Sequence, residues 1–222
     1  MTTHGPLHVD VFVEAMFQEN AYLLWTADGP DAWIVDPGLP PQHEKIAAAI
    51  RRRELQPRAI VVTHCHADHI GGVSPLRAAF PEVQLYAPQE EAAMLTSARA
   101  NLSEPFGFSI TAPPADRLLS PGDALTLGTL GWQVLDVSGH SPGGLAYYAP
   151  DAGVVFTGDA LFAGSIGRYD FPGSSGRRLL SNIRRHLLTL PPQTVVYSGH
   201  GPATTIGEEA DNNPFLQEGF VG

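Results

Sequence analysis

The stretch Val61-Val62-Thr63-His64-Cys65-His66-Ala67-Asp68-His69 decides how this chain is read. The β-branched residues Ile60, Val61 and Val62 announce a strand, and four side chains that resist burial follow at once. In extended backbone alternate residues share a face, so His64, His66 and Asp68 are expected to converge while Cys65 and Ala67 turn away. His69 breaks the alternation. A turn between Asp68 and His69 would aim those two beside the point that His64 and His66 reach, as a pair of adjacent metal ions requires. The chain has nine histidines in 222 residues, and chance supplies H-x-H-x-D-H on the order of once in a thousand such chains. The alternative is a polar loop of satisfied histidines. Against it, imidazoles packed this closely repel one another when protonated unless a cation holds them.

Upstream of this stretch, residues 7–13, 21–26 and 32–35 read as strands separated by turn-forming Gln18-Glu19-Asn20 and Asp28-Gly29-Pro30-Asp31, hence a β-meander. It closes on Asp36-Pro37-Gly38. Asp36 suits three roles: a ligand, a partner that orients a metal-bound imidazole, or a plain turn former, and it is left outside the ligand set. Residues 42–53 show helical spacing, with Ile46, Ala49 and Ile50 on one face. The motif strand spans 58–62, and a helix over 71–80 is expected directly behind the cluster. A short strand over 83–87 and a helix over 88–95 follow. Residues 96–114 show no period, and a loop of that length is functional or mobile; Phe106 and Phe108 are candidates to roof the site. From Arg117 strands return, at 124–127, 132–137, 144–149 and 154–157, with another at 194–197.

Three of those strand ends carry one ligand-type residue beside glycine: Gly139-His140-Ser141-Pro142-Gly143, Thr157-Gly158-Asp159, and Ser198-Gly199-His200-Gly201-Pro202. Glycine lets the backbone turn sharply there and leaves room for an ion. A lone His or Asp after a strand is ordinarily structural, but four strand ends doing so together point to a shared centre. Zinc takes three or four N, O or S donors, and a catalytic site keeps one position for water. His64, His66 and His140 make one set; Asp68, His69 and His200 make a second; Asp159 bridges them. Two divalent ions are thus expected, zinc first, with iron or manganese compatible with the same donors.

The composition narrows the remaining classes. A net charge of −10 argues against a nucleic-acid or anionic-membrane partner. The arginine clusters at 51–53, 177–178 and 184–185 are expected on solvated helix faces. Cys65, the single cysteine, excludes an internal disulfide and reads as a small buried residue. With no basic-then-apolar leader and no apolar run of about 18 residues, a soluble cytoplasmic protein is the expectation.

The four motifs, in this order, resemble the metallo-β-lactamase superfamily. Within it, residues 158–162, 164–168 and 170–173, with 201–209 and Asn213-Pro214-Phe215, are similar to the small glyoxalase II-like hydrolases. The resemblance covers nearly the whole chain. It implies an α/β fold, a four-layer αβ/βα sandwich with two central mixed sheets, formed by residues 1–222 as one domain. It also implies hydrolysis of a small-molecule thioester such as S-lactoylglutathione, a metal-bridging hydroxide attacking the carbonyl, with Asp68 taking up a proton besides binding metal. Persulfide dioxygenases are similar in fold but hold one iron through counterparts of His64, His140 and Asp159, all present here; the Gly-His-Gly-Pro-Ala-Thr-Thr ending is hydrolase-like. A metal-stabilised binding protein without turnover is the third reading. Longer glyoxalase II enzymes add a C-terminal helical domain with basic residues for glutathione. Here no Lys or Arg follows Arg185, so weak glutathione affinity or a different substrate is expected. Arg168 is the candidate anion contact, and an ion pair with Asp170 or Asp36 is its structural alternative.

Overall fold

The computed structural model describes residues 1–217. The expected meander is present: Thr2–His4 (β1), Leu7–Val13 (β2), Asn20–Thr26 (β3) and Asp31–Val35 (β4) run antiparallel. Gln56–Val61 (β5), Gln84–Pro88 (β6) and Arg117–Leu119 (β7) then add in parallel, completing a seven-stranded sheet in chain order. Parallel neighbours need crossovers. Gln42–Arg52 (α1) supplies the first, and Ala67–Ile70 (α2) with Val73–Ala79 (α3) supply the second.

A second, six-stranded sheet has the order β15-β14-β11-β10-β9-β8. Its strands are Ala124–Leu127 (β8), Leu130–Asp136 (β9), Leu145–Ala149 (β10), Val154–Gly158 (β11), Val195–Ser198 (β14) and Thr204–Thr205 (β15). Between β11 and β14 lie a small hairpin, Leu161–Phe162 (β12) with Ser165–Ile166 (β13), and the helix Gly176–Asn182 (α4). Ile206–Asn212 (α5) follows β15.

Period-two alternation sorts the strand residues into three apolar layers. Leu23, Ile34 and Ile60 face Ile46, Ile50, Val73 and Leu76 of α1 and α3. Their strand neighbours Leu24, Trp33, Val35 and Val61 face Trp132, Val134, Tyr147 and Phe156 across the sandwich. On the far side Tyr148, Val155 and Val196 meet Leu179 and Leu180 of α4 and Ile206 of α5. The result is the αβ/βα layering. Polar bonds close the two sheets along one edge: Leu145 N donates to Thr63 O at 2.8 Å, Tyr147 Oη to Val62 O at 2.7 Å, and Tyr22 Oη to Ser198 O at 2.6 Å.

Several sequence expectations shift. The helix expected over 71–80 is present as α3, and a separate short helix, α2, precedes it; Gly71-Gly72 between them packs against residues 37–39, where a Cβ on Gly72 would stand 2.5 Å from Pro37 O and Gly72 N donates to Gly38 O at 2.6 Å. Residues 88–95 form only a tight turn of helix, Gln89–Met94. The segment Ile183–Leu187 continues α4 as a wider turn. Strands β1, β12, β13 and β15 lie outside the sequence reading, being two or three residues long. The arginines at 51–53 are not merely solvated: Arg53 pairs with Asp10 at 2.6 Å and lies over Trp25, and Arg51 lies over Phe80.

Phe156 sits at the centre of the sandwich, with rings of Tyr22, Trp132 and Tyr197 around it at 5.0–5.9 Å. Phe156→Ala is expected to cost about 3–5 kcal/mol of stability, read as a shift in the urea midpoint at constant slope.

Candidate metal centre

The closed edge of the sandwich gathers the ligand-type residues. After β5 the chain stays extended through His66 (φ −69, ψ 153), then enters α2. His64 and His66 therefore point as alternation predicts, and His140 joins them: their donor atoms lie within 4.8 Å of one another. Asp68 does not reach the site by alternation. It and His69 occupy the first turn of α2, where successive side chains diverge by about 100°. That rotation sends both toward His200, and these three form a second set within the same limit. Asp159 lies between the sets, its carboxylate 3.5 Å from His140 Nε2, 3.4 Å from His69 Nε2 and 3.5 Å from His200 Nε2.

Four imidazoles are fixed through their remote ring nitrogen. His140 Nδ1 donates to Arg168 O at 2.8 Å, His200 Nδ1 to Phe17 O at 3.0 Å, and His69 Nδ1 to Asp36 Oδ2 at 3.0 Å. Asp36 also accepts the amide and hydroxyl of Thr63, both at 2.7 Å. The single hydroxyl proton of Thr63 is thereby spent, so His64 Nδ1 donates to Thr63 Oγ1 at 3.1 Å. Each Nε2 is left facing the centre as the ring's ligating atom. Asp36, kept outside the ligand set, is thus the orienting partner of His69.

The donor set fits metal ions. His64 Nε2, His69 Nε2 and Asp159 Oδ1 are buried with no hydrogen-bond partner, an arrangement that costs several kcal/mol without a cation to receive it. His66 Nδ1 and His140 Nε2 stand 3.0 Å apart. Burial, reinforced by neighbouring imidazoles, drives His64 well below its ordinary pKa and His66 down to about 3, so both rings are neutral ligands. Burial opposes charge on His69 and His200 too, but Asp159 and Asp68 outweigh it: His69 rises well above its ordinary value and His200 rises to about 10. Asp159 is held well below the usual carboxylate range by His69 and His200 despite its burial.

Residues that sequence reading missed hold this geometry. Glu91 accepts the amides of Cys65 at 2.6 Å and Gly143 at 2.8 Å, clamping the two loops that carry His64, His66 and His140. Burial raises its pKa. Asn20, read only as a turn residue, donates from Nδ2 to Ser198 O and Gly201 O, bracing the His200 loop. Glu14 caps the amides of Met16 and Phe17 at 2.6 and 2.7 Å, which places the Phe17 carbonyl under His200. Buried Glu19 lies 4.0 Å from His69, its pKa raised well above normal by burial. None of these contacts is local in sequence apart from that of Glu14. Cys65 faces away into the core, as expected. Arg168 gives Nε and Nη2 to Asp170, each at 2.9 Å, so the ion-pair alternative describes it.

The profile of the metallo-beta-lactamase superfamily matches residues 16–200. The chain belongs to this superfamily. A probable metallo-hydrolase, YqgX, of Bacillus subtilis is 42% identical over 200 residues, covering 90% of this chain and 92% of the relative. The hydroxyacylglutathione hydrolase GloC of Haemophilus influenzae is 34% identical over 212 residues, covering 95% and 98%. Among solved metallo-beta-lactamase-fold structures, the BLEG-1 B3 metallo-beta-lactamase superposes with a TM-score of 0.89 at 41% identity, covering 95% of this chain and 100% of that one. TTHA1623 in a di-iron-bound form gives 0.82 at 42% identity, covering 94% and 100%. Superfamily membership makes this a metal-dependent hydrolase fold with divalent-metal donors in place. No helix among the described residues is long and apolar enough to cross a membrane.

Two outcomes follow from this geometry. His69 and His200 carry protons at pH 7 in the metal-free protein, and an ion must displace them. Zinc titration calorimetry in buffers of different ionisation enthalpy should therefore show at least one proton released per molecule, and affinity should rise from pH 6 to pH 8. An enthalpy independent of buffer would contradict this. A Cβ at Gly199 would collide with Asp159 Oδ1 and stand 2.8 Å from His69 Cε1; Gly199→Ala should lower metal content at least about tenfold, measured by elemental analysis, while the far-ultraviolet circular dichroism stays native.

Proposed function

We propose that this protein is a dinuclear metal-dependent thioester hydrolase of the glyoxalase II type. The observation that carries the reading is that two three-donor sets flank one carboxylate, Asp159, which approaches imidazoles of both and lines a cavity. The similarity to the hydroxyacylglutathione hydrolase GloC supports the thioester as the bond attacked. His64, His66 and His140 would hold one ion, Asp68, His69 and His200 the other, with Asp159 between. Zinc is the expected metal, and the likeness to a di-iron-bound structure keeps iron compatible. With both ions bound, the centre supplies Lewis acidity to the acyl carbonyl and brings the pKa of a water close to neutrality.

The chain's own residues do the rest. The remote-nitrogen bonds hold the imidazoles in one tautomer, and Asp159 keeps the sets in register. Asp68 lines the cavity with its side chain 23% exposed, placed to accept the proton that a water gives up. Hydroxide adds to the acyl carbon, the C–S bond breaks, and sulfur leaves as a thiolate. A thiolate is a stable leaving group, so no strong general acid is needed. The second donor set favours this reading over a single-iron oxygenase held by His64, His140 and Asp159. A lone buried cysteine is compatible with a reducing cytoplasm.

His66→Ala and Asp159→Ala are expected to lower thioester hydrolysis at least about 10²-fold and to reduce bound metal, whereas His186→Ala, half-buried on the wide turn after α4, should do neither. Full turnover in either ligand variant, or one iron per chain with oxygen uptake on a persulfide, would reject the proposal.

A further inference from the structure

A cavity of about 330 Å³ opens beside the donor cluster, and its wall is aromatic. Phe17, Phe106, Phe108, Phe162 and Phe171 supply rings, with Leu39 alongside. Phe171 stands edge-on to His66 and His140 at 5.4 and 5.8 Å, and Phe162 edge-on to His200 at 6.1 Å. The rings begin where the donors end, so a substrate held at the donors must lie against them.

The polar side chains of this wall are already engaged. Asn101 donates to Met94 O and Ile110 O and accepts from Ser103 N. Ser103 Oγ donates to Ala98 O and accepts from Ile110 N. Arg168, the one arginine or lysine among the described residues of the lining, is engaged by its two bonds to Asp170 and lies 4.3 Å over Phe171. Among the described residues, no side chain of the wall stands unpaired to receive a carboxylate or phosphate. A glutathione thioester brings two carboxylates and a coenzyme A thioester several phosphate charges, against a chain of net charge −10.

The geometry points to an uncharged, apolar acyl thioester, with an aryl-acetyl or medium-chain acyl group, as the substrate class this site favours over S-lactoylglutathione. This rests on the thioester hydrolase reading and narrows it. The volume lies at the small end of ligand pockets, roughly 300–1,000 Å³, which suits an acyl group of hexanoyl or phenylacetyl size. Water supplies hydroxyl to the acyl carbon and a proton to the departing sulfur, giving a free thiol and a lipophilic carboxylic acid, which ionises at neutral pH by giving its proton to solvent.

The test uses the zinc-loaded protein and N-acetylcysteamine thioesters of acetate, butyrate, hexanoate and phenylacetate, with S-lactoylglutathione alongside. Each methylene buried against the rings should raise kcat/KM by up to about fourfold, so hexanoyl should exceed acetyl at least tenfold, and phenylacetyl should exceed S-lactoylglutathione at least tenfold. Phe106→Ala and Phe108→Ala, at side chains on the open rim (56% and 38% exposed), should flatten that dependence. Binding of two inert thioethers, S-hexyl-N-acetylcysteamine and S-hexylglutathione, is read by calorimetry and does not depend on turnover; the uncharged one should bind at least fivefold tighter. A flat acyl series, S-lactoylglutathione as the better substrate, tighter S-hexylglutathione binding, or an Arg168→Gln variant that loses S-lactoylglutathione turnover alone would each overturn the inference while leaving the hydrolase reading standing. Tight thioether binding without hydrolysis of any thioester would reject the hydrolase reading and, with it, the substrate assignment.

Discussion

Burying metal-ligating atoms with nothing to receive their lone pairs is the constraint around which this molecule is arranged. His64 Nε2, His69 Nε2 and Asp159 Oδ1 are buried without a well-formed hydrogen-bond partner. A fold tolerates such a cluster only when rigid neighbours hold it and a cation compensates it. The rigidity comes from the sandwich itself. Four strand ends arrive at one edge, where backbone and tyrosine bonds join the two sheets, so each donor rides on an element whose other side is packed core.

Charge is distributed unevenly within the cluster. Burial keeps His64 and His66 neutral, whereas Asp68 and Asp159 hold protons on His69 and His200 when no ion is present. The all-histidine set is thus ready for a cation as it stands, and the mixed set must exchange protons for one. The Asp159 carboxylate lies within 3.5 Å of imidazoles of both sets, so charge on one set is felt at the other.

Much of this was legible in the sequence. Alternation placed His64 and His66 together and turned Cys65 away, and glycine beside a lone His or Asp marked the other strand ends. Alternation failed at Asp68, because the chain leaves extended geometry at His66, and the local sequence holds no capping residue that would announce the short helix there. Glu91 was invisible for a different reason. Its partners, Cys65 and Gly143, are 26 and 52 residues away, and a Gln-Glu-Glu run carries no pattern that distinguishes a buried clamp from a solvated face. The aromatic wall was half legible: Phe106 and Phe108 stood out in an aperiodic loop, but Phe17, Phe162 and Phe171 come from three other segments that only the fold assembles.

The aperiodic loop divides its labour between residues. Asn101 and Ser103 fasten it, and the Asn101 carbonyl accepts the Ala67 amide at the start of α2, so its base is tied to the segment that bears Asp68 and His69. Phe106 and Phe108 hang beyond that anchorage with faces partly in solvent. Substitutions at the exposed tip are therefore separable from substitutions at the hydrogen-bonded base. Side chains at the tip can thus be exchanged without loosening the Ala67–Asn101 bond that ties the loop to the donors, so the cavity rim and the donor cluster answer to different residues.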